Sequence, residues 1–347
     1  LSSQLEQAGC WFLRSGIQEA NGGVARYFHT DSNRNAAVST EITGYAASAL
    51  AYLYSAIGDP RFLEGAAHAA RYVTDVAWDS VSHTVPFEPQ STHAYFFDLG
   101  IIARGLMAAW RASGDESFQA RANDVALSMA FDFVGDGVFH PVIELPEKQP
   151  IEHEPRWSRK PGCYQLKSAL AWLEQSDGRK LFDQLLHYSL STHELFLADN
   201  CTRERMMDRL HAYCYFLEAL LSVSEQDAVQ RALAWGMARV GGLLREIAPE
   251  FERSDVCAQL LRVRLIAFHM GAVALDDEAA REEANRAAAY QCNSTDARLD
   301  GGYWFGRKGG EMLPFMNPVS TAFCMQALDL WERHRSAAWQ FELHQLI

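Results

Sequence analysis

Residues 40–60 read TEITGYAASALAYLYSAIGDP, and this stretch decides the fold class. Apolar residues recur at helical spacing from Ile42 to Ile57, the pattern of a helix that buries one face. Gly58 ends the pattern, because glycine takes the left-handed turn at a helix C-terminus without a steric penalty. Asp59-Pro60 starts a second helix at once, with aspartate as N-cap and proline at the first helical position. Two helices joined by so short a turn form an antiparallel hairpin. The same punctuation returns at Gly114-Asp115, after LGIIARGLMAAWRAS, and at Ser176-Asp177-Gly178, after YQLKSALAWLEQ. Ser224 with Asp227 reads as a capping box with Asp in place of Glu, and Asp276-Asp277 marks a fifth turn.

Working outward, the periodicity predicts helices near 2–18, 39–57, 60–76, 95–113, 115–133, 161–175, 178–195, 207–223, 225–247, 254–271, 275–291 and 317–335. The first lacks a partner before it and the last lacks one after it. Pairing these two closes a ring of six hairpins, so the expected fold is all-α, an (α/α)6 toroid with residues 1–347 as a single domain. Length alone would suggest two domains, but a toroid wraps repeated units around a shared centre. Most connections between hairpins are long: 19–38, 77–94, 134–160, 196–206 and 292–316. They fall on one side of the alternation and therefore emerge at one end, where function usually sits. The helices that follow them are expected to be the inner ones. GYAASALA (44–51) and GIIARGLMAA (100–109) carry the small residues that close packing needs.

Composition narrows the partners. The formal net charge is −13, which argues against nucleic acid or an anionic membrane. No apolar run is long enough to span a bilayer, and no signal peptide is legible. The seven cysteines form no CxxC pair, and an odd count suits reduced thiols in a cytoplasmic protein. No cofactor and no metal site is expected: Cys201, Cys257 and Cys324 lack a neighbouring histidine at zinc-ligand spacing.

Four segments carry a family resemblance. Gly22-Gly23 precede an aromatic stretch and then STEITGY (39–45). FDLGIIARGL occupies 97–106, and RLHAYCYFLEALL occupies 209–221. Asp300-Gly301-Gly302-Tyr303-Trp304 is followed by NPVSTAFCMQAL (317–328). Together they resemble the six-hairpin glycosidase superfamily. That resemblance implies the barrel, and a member that is a glycoside hydrolase, an uronide hydrolase, a sugar 2-epimerase or part of a polysaccharide lyase. None of the four is a catalytic signature of one family. Terpene cyclases share a toroid but need an Asp-rich cavity motif, and the only adjacent aspartates here, Asp276 and Asp277, sit at a short turn.

Sugar chemistry calls for flat aromatic faces and for carboxylates or a histidine–acid pair that move protons. Glu41, Asp98, Asp208 and Asp255 each fall near the start of an expected inner helix. Acids also complement the helix dipole there, so the position alone does not mark catalysis. Asp98 follows Tyr95, Phe96 and Phe97, a setting that would raise its pKa. His211 lies one turn after Asp208 and could share its face. The resemblance implies paired cavity histidines for a 2-epimerase, and the sequence offers no clear second one. The expected catalytic set is Glu41, Asp98, Asp208 and His211. The expected substrate-binding set is Arg26, Tyr45, Trp157, Tyr164, Asp255, Tyr303, Trp304 and Arg307. Loop arginines favour an anionic saccharide such as a uronic acid, although Glu88, Glu144, Glu152, Glu154, Asp31 and Asp199 share those loops. The sequence thus points to a carbohydrate-active enzyme taking a saccharide or sugar acid. The alternative is a non-catalytic toroid that binds glycan or protein in a polysaccharide pathway.

Overall fold

The structure is a computed structural model that describes residues 3–154, 156–174, 178–198 and 201–347. The expected Ser176-Asp177 cap and the loop acid Asp199 lie outside the described residues. Twelve α-helices follow one another among those described: α1 (Ser3–Arg14), α2 (Thr40–Ile57), α3 (Pro60–Arg71), α4 (Phe96–Ser113), α5 (Glu116–Asp132), α6 (Leu166–Ala169), α7 (Arg179–Ala198), α8 (Arg203–Leu220), α9 (Asp227–Ile247), α10 (Ser254–His269), α11 (Asp277–Ala288) and α12 (Pro318–Arg335). The strands are two or three residues long and lie in the long connections, such as 93–95 paired with 142–144 and 251–253 paired with 306–308.

The turns behave as their chemistry dictates. Gly58 and Gly114 close α2 and α4 in the left-handed conformation, at φ 80° and 75°. Asp59 and Asp115 then cap α3 and α5, each side chain accepting from a backbone N–H two residues on. Asp276 caps α11 in the same way, from Ala279 N. The Ser224 capping box does not form. A 3-10 turn over Leu221–Val223 moves the start of α9 to Gln226, which makes no side-chain cap, and the Ser224 carbonyl accepts from Gln230 Nε2 instead. The segment near 161–175 is helical but mixed: 3-10 turns over Cys163–Gln165 and Leu170–Glu174 flank α6. The end of the helix expected over 60–76 widens into a π-helical stretch, Tyr72–Ala77. Helix α8 starts at Arg203, four residues before the expected start, because Thr202 caps it by accepting from Arg205 N. Asp208 therefore sits in its second turn.

The chain forms two compact units, residues 16–26 with 35–189, and residues 1–15, 27–34 and 190–347. In the unit holding residues 35–189, α2 packs on α3 and α4, and α4 packs on α5 and α6. In the unit holding residues 190–347, α10 packs on α8, α9, α11 and α12, and α1 packs on α12. The first helix thus meets the last, as ring closure requires. The even-numbered helices are the more enclosed. Helix α10 buries every residue from Ser254 to Ala267, whereas α11 buries only the stripe of Ala279, Ala280, Glu283, Ala284 and Ala287.

Glycine sets the closest helix contact. A Cβ at Gly105 of α4 would stand 2.3 Å from the Gly44 carbonyl oxygen of α2, and one at Gly44 would stand 2.9 Å from Ile102 Cα. Both obstacles are backbone, which cannot swing aside. We expect Gly105→Ala to lose about 1–3 kcal/mol through overpacking. Gly242 of α9 has nothing within 4 Å of its virtual Cβ, and there Gly→Ala should be neutral or stabilising by up to about 1 kcal/mol through helix propensity. Urea unfolding of the two variants measures the contrast, and equal midpoints would remove the packing role of Gly105.

Candidate active site

Two clusters of chemically capable side chains stand out, one in each unit. The first gathers at the N-termini of α2 and α4. Ser39 caps α2, accepting from Ile42 N, and the Thr40 hydroxyl donates to the carbonyls of Pro86 and Phe87, both at 2.9 Å. These bonds fix Glu41, in the first turn, beside the 86–88 segment. Asp98 sits in the first turn of α4, which leaves directly from the strand 93–95.

Arg26 completes this group. Its guanidinium lies over the Phe87 ring at 4.7 Å and stands 3.6 Å from Glu88. Phe87 in turn meets the Tyr95 ring at 5.0 Å, and the Tyr95 hydroxyl accepts from Arg159 Nη2 at 3.1 Å. Arg159 is also paired with Glu154 at 2.6 Å. On the other flank the Tyr164 ring meets Phe97 at 5.9 Å and Trp157 at 5.0 Å. Asp98 is 6% exposed and its Oδ2 has no hydrogen-bond partner.

Burial without compensation raises an acid's pKa, because the charged form loses its hydration. Burial pushes the Glu41 carboxyl up to about 7, against the opposing charge of Arg26. Burial also lifts Asp98 well above the usual carboxylate range; the neighbouring charge of Glu41 adds to this, and Arg26 works against it. The two acids feel each other and titrate as a pair. Glu41 keeps part of its surface accessible while protein atoms crowd it.

The second cluster forms around His211 of α8. Its Nδ1 lies 2.8 Å from Gln259 Oε1 and 3.5 Å from Asp255 Oδ2, and its Nε2 lies 2.9 Å from the Tyr215 hydroxyl. Arg253 holds Asp255 through two bonds, at 3.0 and 2.7 Å, and donates to Asp208 at 2.8 Å. His211 was expected to take Asp208 as its acid. The acid beside it is instead Asp255, from the next hairpin. Asp208, 43% exposed at its side chain, is turned to Arg253.

The remaining expected residues separate. Tyr45 lies one turn after Glu41, at 1% exposure. Tyr303 is also fully buried, its backbone N–H bonded to the Thr321 hydroxyl. Trp304 is half-buried, and its carbonyl accepts from Ser254. Arg307 lies over the Tyr290 ring at 5.3 Å, in a cavity of about 440 Å³ that it lines with Arg245, Glu252 and Arg286. Phe87, Glu88 and Arg159 fall in the long connections 77–94 and 134–160, and Tyr95 at the start of the helix expected over 95–113; none of the four was in the expected site. Sequence reasoning passed over Arg253 and Gln259 entirely. The signal for these was the Arg-Ser-Asp run at 253–255, with Gln259 one turn after Asp255 on α10.

No family model matches the chain, and no curated protein sequence matches it. Solved structures do. Cellobiose 2-epimerase from Spirochaeta thermophila aligns with a TM-score of 0.73 at 12% identity, over 96% of this chain and 97% of its own. A sugar epimerase from a ruminal bacterium aligns at 0.70 and 13% identity, over 94% and 98%. A D-mannose isomerase aligns at 0.68 and 10% identity, over 94% and 96%. Matches of this length and quality at such low identity establish architecture. The chain has the all-α (α/α)6 toroid fold that these structures share.

Proposed function

We propose that this protein is an enzyme acting on a saccharide by acid–base chemistry at Glu41 and Asp98. One observation carries the reading: two carboxyl groups from neighbouring helix N-termini, Asp98 buried with an unpartnered Oδ2 and Glu41 half-buried, share one environment with the Arg26 guanidinium and are held toward their protonated forms. Charges arranged for stability alone would be paired off, because a buried unpaired acid is costly. Perturbed acids in a cleft are a signature of function. Asp98 is the proton donor. Glu41, titrating near neutrality, is the acceptor, a division that two environments impose on chemically similar groups. Phe87, Tyr95 and Trp157, all half-buried, supply flat rings near the carboxyls, suited to the apolar face of a pyranose; Tyr164 is fully buried and packs behind Trp157 and Phe97. That the solved structures sharing the fold are named as sugar epimerases and an isomerase supports a saccharide substrate.

Charge balance favours a neutral sugar over a uronic acid as the substrate. Arg26 already faces Glu88, Glu41 and Asp98, and Arg159 is paired with Glu154. Arg26 Nη2 makes no hydrogen bond, but a substrate carboxylate would have to share that one guanidinium with Glu88, Glu41 and Asp98. No described helix is long and apolar enough to cross a membrane. We place the protein in the cytoplasm on its seven cysteines, none of them in a disulfide.

The test is a panel of neutral disaccharides, reducing aldoses and uronides, assayed for hydrolysis, epimerisation and elimination. Asp98→Asn and Glu41→Gln should each lower kcat by roughly 10²–10⁴-fold while remaining folded. The parent's rate should rise with pH through about 7 as Glu41 ionises, and this limb should vanish in Glu41→Gln. Variants that turn over every active substrate as the parent does would end the assignment.

The same acid makes a stability prediction. The Glu41 pKa is raised on folding from 4.5 to about 7, so the folded protein holds the proton more tightly. Its contribution is complete below pH 4.5 and is lost as pH climbs through about 7. Glu41→Gln removes that loss. The variant should therefore gain stability relative to the parent between these two pH values, by up to about 3 kcal/mol, and the difference should then level off. Urea unfolding of both proteins across this range checks it. A constant difference would mean that Glu41 is not buried as described.

A further inference from the structure

The acid nearest His211 is already committed. Arg253 binds both oxygens of Asp255, and Gln259 offers the closer acceptor to Nδ1. Both groups that face Nδ1, Gln259 Oε1 and Asp255 Oδ2, accept hydrogen bonds. A nitrogen between two acceptors must carry the hydrogen, so Nε2 holds the lone pair and accepts from the Tyr215 hydroxyl at 2.9 Å. A histidine beside an unencumbered carboxylate tends to become imidazolium, since the opposite charge favours its charged form. Here the carboxylate is neutralised by a guanidinium and the nearest partner is a neutral amide.

We propose that Arg253 and Gln259 are positioning residues that keep His211 an uncharged proton acceptor, with its hydrogen on Nδ1 and its lone pair on Nε2. The surroundings agree on every side. Asp208 and Tyr215 face it from α8, Arg253 from the strand 251–253, and Asp255 and Gln259 from α10; α12 contributes only the Phe323 ring, at 6.5 Å. Of these, Asp208 and Asp255 are both held by Arg253. Burial first, and then the charge of Arg253, lower the imidazole to about 4, against Asp255, the Gln259 bond and Asp208. Gln259 is itself fully buried, and its Nε2 has no partner. A buried amide N–H left unmade is costly; it can donate to an oxygen of a bound molecule beside His211. In a saccharide reaction, a part of this inference that rests on the function proposed above, such an imidazole can take a proton throughout the neutral range.

The test needs no substrate. In protein labelled with 15N at histidine, with His211 assigned by its loss in His211→Gln, the parent should show the neutral Nδ1–H form from about pH 5 to pH 8. Arg253→Gln frees Asp255 to pair with the ring, and the His211 titration should move up by roughly one pH unit or more. Gln259→Glu leaves Arg253 in place, puts a carboxylate at Nδ1, and should move the titration the same way; it serves if Arg253→Gln does not fold. An imidazolium in the parent near pH 6, or a folded variant that titrates as the parent does, overturns the proposal. Where a saccharide is turned over, the variant-to-parent rate ratio should fall roughly tenfold from about pH 8 to about pH 5.5. A constant ratio with a shifted titration would remove His211 from the reaction while leaving the roles of Arg253 and Gln259 intact.

Discussion

The contact between Gly44 and Gly105 governs the geometry of the first cluster. Helices α2 and α4 touch backbone to backbone there, with no room for even one methyl group on Gly105. Helix axes that approach so closely bring their first turns together as well, and those turns carry Glu41 and Asp98. Gly100 repeats the device toward α6, where a Cβ would stand 2.3 Å from Ser168 Cα. Small residues in these inner helices are the means by which two acids, fifty-seven positions apart in sequence, come to share one electrostatic environment.

The two clusters show the same residue types driven to opposite ends by their partners. Asp98 and Asp255 both occupy the first turn of a buried helix, and both are almost fully enclosed. Burial alone would raise both. Asp255 has a guanidinium bonded to each oxygen, and that interaction outweighs desolvation, so its pKa is lowered. Asp98 has an acid for a neighbour and only a more distant guanidinium, so desolvation wins. The helix dipole is common to the two and decides nothing between them. Between these two acids, the difference is whether an arginine reaches the carboxylate; at Glu283, which Arg264 bonds at both oxygens, desolvation still prevails and the pKa rises to about 7.

Another buried acid is also met by an arginine. Glu218 in α8 is completely enclosed, and Arg262 of α10 reaches it, with Gln326 of α12 accepting from the same guanidinium at 2.9 Å. That group ties three inner helices of one unit together. A buried ion pair of this kind holds its members in register and is costly to break by removing one partner. Enclosure of an acid, by itself, therefore marks no site in this protein.

Much of the fold was legible because it depends on local chemistry. Gly58, Asp59, Pro60, Gly114 and Asp115 place hairpin turns wherever they stand, since positive φ and capping are properties of the residue and its immediate neighbours. Apolar periodicity located the helices to within a few residues, and where it failed, at Ser224 and before Asp208, a competing local turn or cap prevailed. Glu41 and Asp98 were legible as acids at helix starts, and Asp98 as one among aromatics. Their pairing was not, nor was the choice of Asp255 over Asp208 as the acid beside His211, nor the service of Arg253 and Gln259. Each of these depends on which side chains meet across different helices, and on whether a buried charge finds a counter-charge there. Sequence fixes propensity along the chain; only tertiary packing sets the distances through which desolvation and Coulomb attraction compete.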